Sequence, residues 1–118
     1  MSDKKYKWYK IADSADIIEW QNNDLAVVEL ASKKITLCRF ENHIYACAYK
    51  CPHAGGILSD GFIDHAGNIV CPIHRYRFDL DNGRNVTGEG YFLKTYKIDN
   101  REDGIYIGFE EKNFFGWM

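Results

Sequence analysis

The chain has little that would draw it to nucleic acid or to a membrane. Its formal net charge is only −2 and its pI is about 6.1, so no basic excess favours nucleic acid or anionic lipid. Its uncharged runs are much shorter than the ~20 apolar residues that cross a bilayer. We therefore expect neither a nucleic-acid partner nor a membrane partner.

A secretory signal is also missing from the N-terminal sequence. Residues 1–8 are charged, and neither an apolar stretch nor a small-residue cleavage site follows them. We therefore expect a cytoplasmic protein. In that reducing compartment cysteines serve as metal ligands or buried thiols more often than as disulfides. The chain has four of them, Cys38, Cys47, Cys51 and Cys71.

Prolines are few and glycines are scattered, so no linker or low-complexity tract divides the 118-residue chain. With 46% hydrophobic residues, the sequence predicts one domain, 1–118, around a single core. Helical patterns are scarce, with one short turn expected near 12–20. Strand-like segments between polar turns predict an all-β domain of mostly antiparallel strands. The expected strands cover 6–11, 25–30, 35–40, 44–48, 94–98 and 105–109, with turns at 31–34, 41–43, 65–68 and 81–83.

Two short segments each place a cysteine close to a histidine. "CPHAGG" (51–56) contains Cys51-x-His53, and "CPIHRY" (71–76) contains Cys71-x-x-His74. Two thiols and two imidazoles on two loops suit either a tetrahedral zinc ion or a two-iron, two-sulfide centre. Zinc fingers usually pair cysteine with cysteine and histidine with histidine, whereas each loop here carries one of each. That arrangement favours two irons, one with both thiolates and the other with both imidazoles.

The spacing C-x-H, a gap of seventeen residues (54–70) and C-x-x-H resembles the ligand pattern of the Rieske iron–sulfur proteins. The wider chain, from near Trp8 through "GEGYFLKTYKI" (88–98) to about Phe109, is similar to small Rieske-type ferredoxins. The resemblance implies a Rieske fold, in which antiparallel sheets form a β-sandwich base. A small cluster-binding subdomain formed by two loops, about 47–80 here, would sit on that base.

The resemblance also implies one Rieske-type [2Fe–2S] cluster per chain. Cys51 and Cys71 would bind one iron, and His53 and His74 the other. Two ferric ions, two sulfides and two thiolates make a neutral oxidised centre, whereas four thiolates would make it −2. Adding an electron to a neutral centre is easier, so histidine ligands raise the reduction potential.

The sequence departs from the high-potential members of that family. Those proteins carry a further cysteine in each ligand loop, joined in a disulfide, where this chain has Gly56 and Ile73. They also carry a serine and a tyrosine whose hydroxyls stabilise the reduced cluster, where this chain has Tyr76 and Phe78. We therefore expect a potential near the low end of the Rieske range, roughly −150 mV rather than +300 mV.

These features predict an electron-transfer protein and not an enzyme. The chain would take one electron from a reductase and pass it to an acceptor, such as a ring-hydroxylating or other oxygenase. After Phe109 only nine residues follow, too few for an oxygenase's mononuclear iron domain. A monomer is the expected state.

Two alternative functions remain open from the sequence. The first is an accessory or regulatory subunit of a larger oxidoreductase, similar to nitrite reductase small subunits. The second is a zinc-binding interaction module, which would use Cys47, Cys51, Cys71 and His74 and leave His53 without a role.

Several residues outside the motif have simpler explanations. Cys38 and Cys47 lie in strand-like runs, which predicts buried thiols. His43 and His65 fall at turns, and we expect them to be exposed. Arg75 and Arg77 would share one strand face, and we consider them as a positive rim for an acidic partner. The apolar tail "FFGWM" (114–118) is expected to fold back on the domain or to form a contact patch.

Overall fold

The computed structural model describes residues 5–53 and 55–111. These residues form antiparallel β-strands joined by turns, with two single turns of 3₁₀ helix at Ala15–Ile17 and Leu58–Asp60. The predicted all-β class is confirmed. No helix in the described part of the chain is long and apolar enough to span a membrane. The strands are β1 (Tyr6–Ala12), β2 (Leu25–Leu30), β3 (Lys33–Phe40), β4 (His43–Ala48), β5 (Phe62–Ile63), β6 (Asn68–Val70), β7 (Arg77–Asp79), β8 (Thr95–Arg101) and β9 (Gly104–Glu110).

Six strands form a curled sheet in the order β1-β9-β8-β4-β3-β2, and β5-β6-β7 form a separate small sheet. Strands at the two edges of the large sheet share one core, because Ile11 of β1 and Ala26 of β2 pack in the same cluster. Ile35, Leu37 and Ile107, from the strands between those edges, are fully buried there. The sheet therefore closes around its own apolar face, as the expected β-sandwich base requires.

Tight two-residue turns connect β2, β3 and β4. Ala31 and Ser32 have φ of 51° and 65°, and Glu41 and Asn42 have φ of 49° and 65°. Consecutive left-handed residues are typical of type I′ turns, whose twist matches that of the strands. The expected turn at 31–34 was therefore too long, because Lys33 already begins β3.

A second buried cluster joins the small sheet to the large one. Leu25 and Cys38 from the large sheet pack with Ile69 of β6 and Phe78 of β7. The described residues thus have two buried clusters, where the sequence predicted a single core. The small sheet falls within the stretch 47–80 and carries the second Cys-His segment. The tail at 114–118 lies outside the described residues.

Candidate metal centre

The first Cys-His segment forms a closed loop after β4. The backbone N–H of Cys51 donates to the carbonyl of Gly56 at 2.7 Å, and the N–H of Gly55 donates back to the carbonyl of Cys51 at 3.0 Å. Gly55 has φ of +70°, a conformation that glycine adopts without steric cost. These bonds hold Cys51 at the base of the loop, where it is only 3% exposed, and His53, two residues on, is half-buried within the loop.

The second segment is the six-residue connection between β6 and β7. Its ends are joined by a hydrogen bond of 2.9 Å from the Cys71 N–H to the Tyr76 carbonyl. His74 and Arg75 have φ of 64° and 58°, so two non-glycine residues adopt the left-handed conformation. Such residues cost roughly 1–3 kcal/mol each and persist where the surrounding structure requires them. The turn leaves Cys71 fully buried and His74 exposed.

The two loops bring their thiols together in the second buried cluster. Burial raises the pKa of the Cys71 thiol to about 11, and the adjacent Cys51 thiol contributes in the same direction. A hydrogen bond from the Ile73 backbone N–H to Cys71 opposes that increase. Two buried thiols beside each other, with an amide donor aimed at one sulfur, are suited to binding iron as thiolates.

The imidazoles lie next to each other as well. The ring centroids of His53 and His74 are 5.2 Å apart. The Nδ1 atom of His53 is buried and has no hydrogen-bond partner among the residues that the structure describes. A buried nitrogen without a partner costs free energy, which a bound metal would offset. The structure therefore places the two thiols next to each other and the two imidazoles next to each other.

This donor set fits a two-iron cluster. Within 5–53 and 55–111, no group of three or more acidic, cysteine or histidine side chains surrounds a point where one metal ion could lie. A sulfide-bridged pair of irons requires only two protein ligands for each iron. One pair of adjacent thiols and one pair of adjacent imidazoles supply two ligands for each iron.

Gly56 and Ile73 lie side by side beside the thiols. A Cβ atom at Gly56 would be 3.0 Å from the Cys71 Sγ atom and 3.0 Å from the Ile73 Cδ1 atom. These are the positions at which the high-potential relatives were expected to carry their disulfide. In this chain a glycine and an isoleucine side chain fill that space.

The remaining cysteines and histidines are placed as predicted. Cys38 and Cys47 are buried free thiols on β3 and β4, and a hydrogen bond to Cys47, together with burial, raises the pKa of Cys38 well above its usual range. His43 and His65 are exposed and lie beside turns.

The idea of a positive rim formed by both arginines was wrong for Arg77. Arg75 lies in the left-handed turn rather than in a strand, and it is exposed. Arg77 begins β7 and forms an ion pair with Asp64, whose side chain is only 11% exposed. Of these two arginines, Arg75 is the exposed one, and it directly follows His74 in the chain.

Sequence reasoning did not identify Tyr91 as part of the site. Its ring centroid lies 5.1 Å from that of His53 and 6.0 Å from that of Tyr76. The run "NVTGEGY" (85–91) is recognisable as a polar loop, but nothing in it shows which side chain reaches the first ligand loop.

A family model described as the Rieske [2Fe–2S] domain matches residues 7–97. The chain therefore belongs to the Rieske [2Fe–2S] domain family, and its cofactor is a Rieske-type [2Fe–2S] cluster. The resemblance inferred from the ligand spacing is confirmed.

Relatives and solved structures agree with this assignment. The ferredoxin component of the naphthalene 1,2-dioxygenase system of Pseudomonas putida is 33% identical over 97 residues, covering 80% of this chain and 89% of the relative. The ferredoxin component of the naphthalene 1,2-dioxygenase/salicylate 5-hydroxylase systems of Ralstonia sp. is 35% identical over 91 residues, covering 75% and 86%. These relatives are ferredoxin components, and the chain is likewise an electron carrier rather than an enzyme.

Two solved structures share the fold. One, described as the small subunit of an NADH-dependent nitrite reductase from Mycobacterium tuberculosis, has a TM-score of 0.74 at 20% identity, covering 89% of this chain and 96% of that one. The other belongs to a complex of reduced oxygenase and oxidised ferredoxin in carbazole 1,9a-dioxygenase. It has a TM-score of 0.73 at 23% identity, with coverage of 90% and 96%.

Proposed function

We propose that Cys51 and Cys71 bind one iron of the cluster and that His53 and His74 bind the other. The observation that carries this proposal is the buried, unpartnered Nδ1 atom of His53, which lies in a site with a second imidazole and two buried thiols. When bound, the cluster supplies one-electron redox chemistry. The buried cysteines would hold it from the interior, and the histidines would hold it from the side on which His74 is exposed.

We further propose that the electron comes from a reductase and goes to a ring-hydroxylating or similar oxygenase. The relatives at 33% and 35% identity are ferredoxin components of dioxygenase systems. A structural neighbour is part of an oxygenase–ferredoxin complex. Transfer of an electron between proteins requires the cluster to approach the partner closely, and the exposed His74 meets that requirement.

A second candidate is a role as the small subunit of a larger oxidoreductase. It is supported by the fold shared with the nitrite reductase small subunit at a TM-score of 0.74. The two candidates differ in their partner and share the cluster site. The chain would work in either case as one domain, 1–118; we propose that it does so as a cytoplasmic monomer.

The ligand set is tested by replacing one ligand at a time and measuring iron, acid-labile sulfide and the Rieske absorption and electron paramagnetic resonance spectra. Cys51→Ser, Cys71→Ser, His53→Ala and His74→Ala should each abolish the spectrum of a protein that otherwise contains ~2 Fe and ~2 sulfide per chain. Cys38→Ala and His65→Ala are matched controls, and both should keep it. An intact Rieske spectrum in any of the four ligand variants would overturn the assignment.

The partner is tested by electron transfer from the chemically reduced protein. Reduced protein is mixed in separate reactions with the oxygenase of a naphthalene dioxygenase system and with the large subunit of a nitrite reductase. Fast reoxidation by the oxygenase, with substrate hydroxylation, supports the first candidate. Reoxidation only by the nitrite reductase subunit would support the second and contradict the first.

A further inference from the structure

The two histidines of the site are not equally accessible. His53 is half-buried, whereas His74 is exposed. Three rings surround His53, with centroid distances of 4.3 Å to Tyr76, 5.1 Å to Tyr91 and 5.2 Å to His74. His74 has only His53 and the more distant Tyr76, at 6.1 Å, as ring neighbours among the described residues.

Tyr91, whose ring contacts His53, is the last residue of the loop 85–91. The side chain of Asn85 makes most of the hydrogen bonds within this loop. The amide nitrogen of Asn85 lies within 3.1 Å of three acceptors, and its amide oxygen accepts from two backbone N–H groups. The acceptors are the Arg77 carbonyl, Thr87 Oγ1 and Glu89 Oε1, and the donors are the N–H groups of Glu89 and Gly90.

The same loop is attached to the strand that follows the second ligand loop. The N–H of Val86 donates to the Arg77 carbonyl at 2.9 Å, and the N–H of Arg77 donates to Thr87 Oγ1 at 3.2 Å. Gly88 and Gly90 have φ of 90° and 85°, so glycine is needed for the tight path of the chain. The loop is thus held near its start by hydrogen bonds to Arg77 and at its end by the contacts of the Tyr91 ring with His53 and Tyr76.

We propose that loop 85–91 is a cap over His53, positioned by Asn85 and closed by the Tyr91 ring, so that His74 is the histidine that contacts the redox partner. This inference rests on the proposed ligand set. At the His74 side the bound cluster would give up one electron to the acceptor, with no bond made or broken and no proton transferred. Asn85 acts through Tyr91 and is therefore a positioning residue.

Charge on the two sides agrees with this assignment. The cap carries the exposed carboxylate of Glu89, while Arg75 is exposed next to His74. Ile73, 40% exposed, adds apolar surface on the His74 side. A partner that surrounds its electron acceptor with acidic and apolar side chains would be attracted to His74 and repelled by the cap.

The test measures how fast each histidine reacts with diethyl pyrocarbonate in the cluster-loaded protein, with the products mapped by mass spectrometry. His43 and His65 are exposed internal references. In the unmodified protein His74 should react much faster than His53. Tyr91→Ala should bring the ratio of the His53 rate to the His74 rate towards one. Asn85→Ala keeps the Tyr91 side chain but removes the hydrogen bonds that hold the loop, and it should change the ratio in the same direction.

Two controls separate a cap from a general loosening of the domain. Tyr91→Phe keeps the ring and should keep the original ratio, and so should Phe92→Ala, which removes the adjacent ring, 70% exposed. Equal rates at the two histidines in the unmodified protein, or an unchanged ratio in Tyr91→Ala, would overturn the proposal. Failure of the proposed ligand set would be seen in a different measurement, as an intact Rieske spectrum in His53→Ala. The reaction rates of the histidines in the Tyr91 variants do not test the ligand set.

Discussion

The ring of Tyr76 packs on the imidazole of His53, with centroids 4.3 Å apart and planes inclined by 32°. Tyr76 takes the position at which high-potential relatives were expected to carry a serine hydroxyl donor. Its ring lies instead on the histidine side of the site. Phe78, at the position of the expected tyrosine donor, is fully buried and has no hydroxyl.

The protein should therefore have a reduction potential near the low end of the Rieske range, roughly −150 mV. The physical reason is that two hydroxyl donors that stabilise the extra negative charge of a reduced cluster are missing. Redox titration followed by electron paramagnetic resonance gives the value. A strongly positive potential would show that other donors replace them.

Phe78→Tyr provides a matched variant for that prediction, because Phe78 shares a buried cluster with Cys51 and Cys71. The added hydroxyl should shift the potential upwards if it donates to a sulfur atom. Without a partner it would instead cost about 1–3 kcal/mol of stability. A potential unchanged in a variant of unchanged stability would contradict the hydroxyl explanation.

Gly56→Ala should weaken retention of the cluster. The new methyl group would meet Cys71 Sγ and the Ile73 side chain at 3.0 Å, and overpacking of this kind typically costs about 1–3 kcal/mol. The iron content after gel filtration and the midpoint of thermal unfolding measure the effect. Adding Ile73→Ala removes one of the two clashes, and the double variant should recover part of the loss. No recovery would mean that the contact with Ile73 is not the cause.

Arg75→Glu should slow electron transfer to an acidic partner by roughly threefold to tenfold at low ionic strength. The difference should shrink in salt, because the charge of Arg75 is exposed and is screened. Stopped-flow reoxidation at several salt concentrations measures it. Arg77→Glu should behave differently and destabilise the fold, since it places a carboxylate against Asp64. Equal rates for Arg75→Glu and the parent protein at low salt would exclude the electrostatic role.

Asp64 should stabilise the small sheet in a pH-dependent way. Burial alone would raise the pKa of Asp64, but hydrogen bonds from Asn68, Arg77 and Ala66 outweigh burial and lower that pKa. A lowered pKa in the folded state means that the stabilisation is present above the ordinary carboxyl pKa and is lost as the pH falls through the folded value.

Asp64→Asn should therefore lower the free energy of unfolding at neutral pH by about 1–3 kcal/mol. The difference from the parent protein should decrease in acid, because the parent then protonates its own carboxylate. Urea unfolding at neutral and acidic pH measures this, with the exposed Asp60→Asn as control. If the variant were less stable than the parent protein by the same amount at acidic and neutral pH, the effect would come from side-chain packing and not from the charge of Asp64.

Much of the fold could be predicted from the sequence because its signals are local. Val28 and Leu37 belong to short runs rich in aliphatic and β-branched residues, bounded by short polar turns, and such runs are typical of antiparallel strands. The boundaries were less certain at turns such as 31–34, where the left-handed conformation of Ala31 and Ser32 lets the chain reverse within two residues. The single core was wrong because the smaller sheet builds a second cluster with the larger one.

The sequence by itself determined the family and the four residues proposed as ligands, since the identities and spacings of Cys51, His53, Cys71 and His74 are properties of the chain. Tertiary structure alone decided that Arg77 pairs with Asp64 and that the Tyr91 ring lies beside His53. These contacts join segments that are distant along the chain. Which side chain covers which depends on how sheets and loops pack, and no local pattern of residues encodes that arrangement.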